Sequence, residues 1–376
     1  MTTQGVSRAL VGEPLLVRPY ESEERPGEAI GTAAVLGVGV GAVLGVAGLI
    51  TAAWNQELGF ALGVLAACTP LLVLQDLGRY LAFALQVPSR ALILDLSWLV
   101  LQIVAVSVLA LTDTATLVWF IAAWAGAGAV SGGILIWEYR KARIRPTLNW
   151  LKETWPFSWR YTISFAARQG AVLLASSTLA GVLGSRSLGA LRGSLLLYGP
   201  LVQIQAASIA AGVSEVARID RTSPDLRRHV VRTTSITTGI AAANLVVLLL
   251  LPDRLGELVL GDTWEGAQRL LLPAGLQMVA VGLISGVRSA LLGLGATREA
   301  LRVDIATAAA MFGSTILGSL LWDVLGVVWT TCAAQVLLML LWWTVYTRRV
   351  RRPFTPPIDA PGQALGHTPS PESLAP

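Results

Sequence analysis

The chain has 376 residues, of which 54% are hydrophobic and 14% charged, with a net charge of +5 and a mean hydropathy of +0.64. Soluble domains carry roughly 25% charged residues, so a soluble globular enzyme is excluded. Nor does the basic excess point to nucleic acid, because the arginines flank apolar stretches, where membrane topology accounts for them.

Ten stretches of 17 residues or more contain no Asp, Glu, Lys or Arg: 29–56, 58–75, 96–112, 114–137, 169–185, 193–214, 233–252, 270–287, 305–322 and 324–347. Each is near the roughly 20 residues that a helix needs to cross a hydrocarbon core of about 30 Å. A transmembrane β-barrel would show alternating segments of about ten residues instead. The expected fold class is all-α, a polytopic membrane protein with about ten transmembrane helices. When those spans are threaded in order, 22 of the 28 Lys and Arg residues fall on the side of the N-terminal tail. The positive-inside rule then places both termini in the cytoplasm, and the plasma (inner) membrane is the expected location.

Residues 1–28 read as a cytoplasmic polar tail with an acidic cluster at Glu21, Glu23, Glu24 and Glu28. They lack the basic and apolar regions of a cleavable signal peptide. Residues 29–137 hold the first four spans. In the first, Gly37, Gly41 and Gly45, with Gly48 close to the same face, form a small-xxx-small stripe suited to close helix packing. Asp76, Arg79 and Asp95 fall near cytoplasmic ends of the second and third spans, where they predict an ion-pair clasp with a gating role. Segment 138–156, EYRKARIRPTLNWLKETWP, mixes basic residues with tryptophans, the composition of an amphipathic interfacial linker. It reads either as an elbow between two bundles or as an ordinary basic loop, broken at Pro146, with Pro156 in the first turn of the next helix.

Residues 157–347 hold six more spans. Pro70, Pro200 and Pro273 interrupt spans and predict kinks. From 348 on the chain is basic and then Pro-rich, with seven prolines in residues 353–376, which predicts a disordered cytoplasmic tail. Cys68 and Cys332 lie inside spans, and His229 and His367 fall in a loop and in the tail. No metal site and no cofactor is expected from them.

Three arginines stand out because an ionised group near the bilayer centre costs at least about 2.5–3.5 kcal/mol. Arg168 lies roughly 16 Å inside the fifth span, Arg288 roughly 10 Å from the cytoplasmic end of the eighth, and Arg192 about one and a half turns inside the sixth. None has a carboxylate at i±3 or i±4. They snorkel to an interface, pair across the bundle, or face water and an anionic ligand. Asp304 reads as a cytoplasmic partner of Arg302 and Arg298. With no Asp or Glu near the middle of a span, the interior favours an anion.

Three segments carry a family resemblance: QDLGRYLAFALQVPSRALILDLSWLVLQ (75–102), GALRGSLLLYGPLVQIQAASIAAGVSEVARI (189–219) and LGDTWEGAQRLLLPAGLQMVAVGLISGVRSALLGLGATREALRVDI (260–305). They resemble polysaccharide flippases, of the kind found in O-antigen and lipopolysaccharide biosynthesis. These are similar to actinobacterial members of the multidrug/oligosaccharidyl-lipid/polysaccharide exporter superfamily. The resemblance implies two helical bundles flanking a central cavity, alternating access, and a lipid-linked oligosaccharide as substrate. That family has twelve or more spans, and SRALVGEPLLVR (7–18) resembles the loop after its second span, so the N-lobe is expected to lack its first hairpin.

The expected function is transport of a polyprenyl-diphosphate glycan without enzymatic turnover. Arg168, Arg288 and Arg192 would bind the diphosphate through charge-assisted hydrogen bonds. Partners would be the bilayer and a polymerase or glycosyltransferases of the same pathway. A cation-coupled multidrug antiporter and a non-transporting scaffold of a polysaccharide assembly complex are the alternatives.

Overall fold

A computed structural model describes residues 2–351, so the Pro-rich part of the expected tail lies outside the described residues. The chain opens with α1 (Thr2–Ser7), a π-helical turn (Arg8–Gly12), α2 (Glu13–Val17) and α3 (Pro19–Glu24). Long helices follow: α4 (Pro26–Ala52), α5 (Gln56–Ala84), α6 (Pro88–Leu111) and α7 (Leu117–Glu138). Beyond the linker come α8 (Leu148–Leu197), α9 (Gly199–Val216) and α10 (Pro224–Leu249). Two short helices, α11 (Asp253–Leu260) and α12 (Trp264–Gln268), lead to α13 (Leu271–Gly293), α14 (Thr297–Leu321) and α15 (Val324–Arg351).

Local sequence explains the starts. Proline occupies the first turn of α4, α6 and α10, where its missing N–H costs nothing. The Asn55 side chain accepts from Leu58 N at 3.0 Å to cap α5, and Ser223 accepts from Asp225 N at 3.1 Å to cap α10.

Eight of these helices are long and apolar enough to cross a membrane, and nine spans result if residues 186–197 and α9, bent by 53°, form one. Pro200 sits at that bend, in the first turn of α9. The fifth expected span lies inside α8, whose stretch from Arg168 through Ser176, Ser177 and Thr178 is less apolar than the eight. Pro156 does not open a helix there. The helix starts at Leu148 and runs through Pro156, then kinks at Gly184, whose φ of 80° is a conformation only glycine adopts without strain. Pro273 likewise lies in the first turn of α13 instead of interrupting a span.

Two sets of helices pack separately. In the first, α5 is central and contacts α4, α6 and α7; in the second, α13 contacts α9, α10 and α15, and α14 contacts α8 and α15. The glycine stripe of α4 crosses α5 at Pro70: a Cβ on Gly37 would come 2.8 Å from Pro70 Cα, and one on Gly41 2.8 Å from Ala66 O.

Residues 2–24 are not a free polar tail. They wedge between the two sets, with Ala9 and Leu16 buried in a cluster that includes Tyr161, Val213 and Val287 of the second set and Ala84 of the first. Val11 and Leu15 pack on Val73, Leu77 and Leu81. The physical reason is that the runs 9–12 and 14–17 are wholly apolar, so exposing them would leave that surface in water.

Polar contacts then join the sets. Ser158 Oγ donates to Leu10 O at 2.9 Å, and Arg25 Nη1 pairs with Glu153 at 2.7 Å. At the end of α5 the Ala84 carbonyl accepts from Arg218 Nη2 at 2.9 Å and Ser214 Oγ at 3.2 Å, and Arg218 also pairs with Glu23 at 2.9 Å. These joining bonds all lie at the end of the bundle that carries the basic loops. Hydrogen bonds to Glu28 and then Glu153 raise the Arg25 pKa above its ordinary value, so this contact stays charged.

Candidate functional site

The deepest charges come from four helices. Arg288, on α13, pairs through Nη2 with Asp304 Oδ2 of α14 at 3.0 Å, and its guanidinium stacks 5.3 Å from the centre of the Trp342 ring. Asp304 is 2% exposed, and the hydroxyl of Ser164, on α8, also donates to its Oδ2. Arg288 thus takes the reading of a pair across the bundle, with a buried carboxylate the spans were not expected to offer, and Asp304 serves it instead of Arg302 and Arg298, which corrects the expectation for Asp304. The α13–α14 turn, with Gly295 at φ 69°, folds residues 288 and 304 to the same depth on facing helices.

Arg168 differs. It borders a half-open cavity of about 320 Å³ lined by α8, α13, α14 and α15, whose polar lining includes Gln277, Thr307, Thr331 and Gln335. Its Nε is buried without a hydrogen-bond partner, as are Tyr161 Oη and Asp304 Oδ1. Arg168 and Arg288 lie close enough to each other to interact electrostatically, and both act on Glu13 of the wedge, Arg168 more strongly. The cavity lies within the second helix set, not midway between the sets. Arg192 is exposed and does not line it, so the structure brings Arg168 and Arg288 together and leaves Arg192 apart.

The second cluster surrounds Asp76. Arg8 of the wedge donates to both its oxygens, Nε to Oδ2 at 3.1 Å and Nη2 to Oδ1 at 2.7 Å, a bidentate geometry. Arg79 Nη1 is 3.7 Å from Asp76. Its Nε is 3.3 Å from Asp95 but makes no hydrogen bond there, and Gln75 donates to Asp95 at 3.1 Å. Asp76, Arg79 and Asp95 are therefore neighbours. Arg8 and Glu13 are the members that sequence reasoning missed; the signal was a pair of charges isolated in otherwise apolar residues 8–17. Arg90 pairs with Glu138 at 2.9 Å. His229 lies in α10, not in a loop, and is buried with Nδ1 3.2 Å from Glu215.

No family model and no curated protein matches the chain. Solved structures do match it. A MOP superfamily transporter from Pyrococcus furiosus superposes with a TM-score of 0.74 at 13% identity, covering 93% of this chain and 84% of that one. It is described by a binding pocket of reversed polarity that suggests a different function. An outward-facing multidrug resistance MATE family transporter of the MOP superfamily gives 0.73 at 14% identity, with 93% and 84% covered. A MATE protein in complex with MaD5 gives 0.75 at 14%, with 93% and 83% covered. The chain has the MATE-like fold of a polytopic α-helical membrane protein.

Proposed function

We propose that this chain is a plasma-membrane transporter that works by alternating access, with the basic end in the cytoplasm, and that it carries an anionic lipid-linked glycan. The fold supports the transporter class, and the bonds around Ala84 and the wedge correspond to a state sealed at the basic end. The observation that carries the substrate class is Arg168, a guanidinium beside a cavity with one buried N–H unsatisfied. Such a group gains from a diphosphate oxygen what the protein itself does not give it. Asp76, Arg79 and Asp95, with Arg8, form the clasp whose rearrangement accompanies opening.

A cation-coupled multidrug antiporter is the second reading, favoured by the buried carboxylate Asp304 and by Glu13 in the wedge, either of which could exchange a cation for substrate. Complementation of cells lacking their own glycan exporter separates the two. The expected outcome is that the chain restores glycan export, that Arg168→Ala abolishes it while still inserting in the membrane, and that Arg168→Lys keeps part of it because the charge survives without the planar fork. Drug resistance without glycan export would establish the antiporter. Membrane insertion with neither activity would leave the scaffold reading.

A further inference from the structure

A second charged site lies at the basic end, between the start of α14 and the end of α15, away from Arg168. It is a cavity of about 290 Å³ rimmed by Arg302, Arg348, Arg349 and Glu299 over a floor that includes Val303 and Val345. The rim is positive on balance, three arginines against one carboxylate. Glu299 forms a long ion pair with Arg349 at 3.8 Å, beyond hydrogen-bond reach, and no ion pair forms at Arg302 or Arg348 among the described residues. Arg349 Nε is buried with no hydrogen-bond partner.

Surrounding groups add to the field. Arg160 donates to Thr297 Oγ1 at 2.9 Å in the first turn of α14, and Arg221 donates to the Arg349 carbonyl. Burial, followed by the charge of Arg349, lowers the Arg221 pKa below its ordinary value. The cavity also faces the start of a 25-residue helix, which adds a positive dipole end. Exposed Leu341, which also lines the cavity one turn below Val345, continues the apolar floor along α15 toward the bilayer.

Apolar floor, arginine rim and position at a helix end match the chemistry of one ligand class: a phosphate that carries an acyl chain. We propose that this cavity binds the headgroup phosphate of an anionic phospholipid, with Arg302 and Arg348 on the phosphate and the first methylenes of a chain over Val303, Val345 and Leu341. The site is independent of the cargo, since it shares no residue with the cavity beside Arg168.

The test uses the purified chain in nanodiscs of phosphatidylcholine with a minor fraction of phosphatidylglycerol. Native mass spectrometry then counts retained lipids, and thermal melts are run with phosphatidylglycerol, phosphatidylcholine or inorganic phosphate added. The wild type is expected to retain phosphatidylglycerol selectively and to be stabilised by it. Arg302→Gln with Arg348→Gln should weaken its binding on the order of tenfold, while Arg254→Gln, at the opposite end, leaves it unchanged. Should the double variant misfold, Val303→Trp, which fills the floor and keeps the charges, should give the same loss. Equal retention in both variants and wild type, or equal retention of the zwitterionic lipid, would overturn the proposal. Stabilisation by inorganic phosphate as strong as that by phosphatidylglycerol would assign the site to free phosphate and refute the lipid.

Discussion

Asp304 holds a cation in a place where neither group can reach water cheaply. Its partner Arg288 has a side chain 17% exposed against 4% for Asp304, so neutralising one partner strands the other charge. Asp304→Asn is expected to destabilise the chain by about 3 kcal/mol, read as a lower midpoint of thermal unfolding in detergent. Arg288→Met combined with Asp304→Leu should recover most of that loss, because the stranded charge is gone. A single variant that melts with the wild type would show that the pair is not desolvated. Arg168 and Arg288 stood out in the sequence as charges set in or beside long apolar runs. The pair of Arg288 with Asp304 was not legible, because partners across a helical turn do not share a helix face; it follows only once the α13–α14 turn is centred near Gly295. The isolation of Arg8 in an apolar stretch hinted at burial, but its partner Asp76, 68 residues away, could not be read from the local sequence.

At the scale of helices, small residues decide how closely backbones approach. A Cβ on Gly132 would sit 2.0 Å from the Leu71 carbonyl oxygen, whereas one on the adjacent Gly133 would meet nothing within 4 Å. Gly132→Ala should therefore push α7 from α5 and cost about 1–3 kcal/mol, while Gly133→Ala should be neutral or stabilise by up to about 1 kcal/mol through helix propensity. Equal melting of the two variants would refute the packing described for α5 and α7. Apolar run length located most of the long helices, since a stretch of about 20 uncharged residues has few alternatives to a membrane span. It failed for α8, where Pro156 is absorbed within a 50-residue helix, and for residues 2–24, where two four-residue apolar runs are too short to register as a span yet are buried by their neighbours.

For the whole molecule, the side-chain bonds that join the two helix sets at the basic end are few among the described residues. Arg218 reaches both Ala84 O and Glu23, so Arg218→Gln should let the two helix sets separate there. With Cys68 and Cys332 replaced by alanine, spin labels at Leu85 and Ala217 should report one short distance in the parent and an added longer population in the Arg218 variant. An unchanged distribution would mean that the wedge alone holds that end shut. The central claim, movement of an anionic lipid-linked glycan dependent on Arg168, is tested most directly in proteoliposomes holding a fluorescent polyprenyl-diphosphate oligosaccharide. The account predicts that the wild-type chain carries the label across the bilayer and that Arg168→Ala, reconstituted at equal density, does not. Equal movement of the label by both proteins would contradict it.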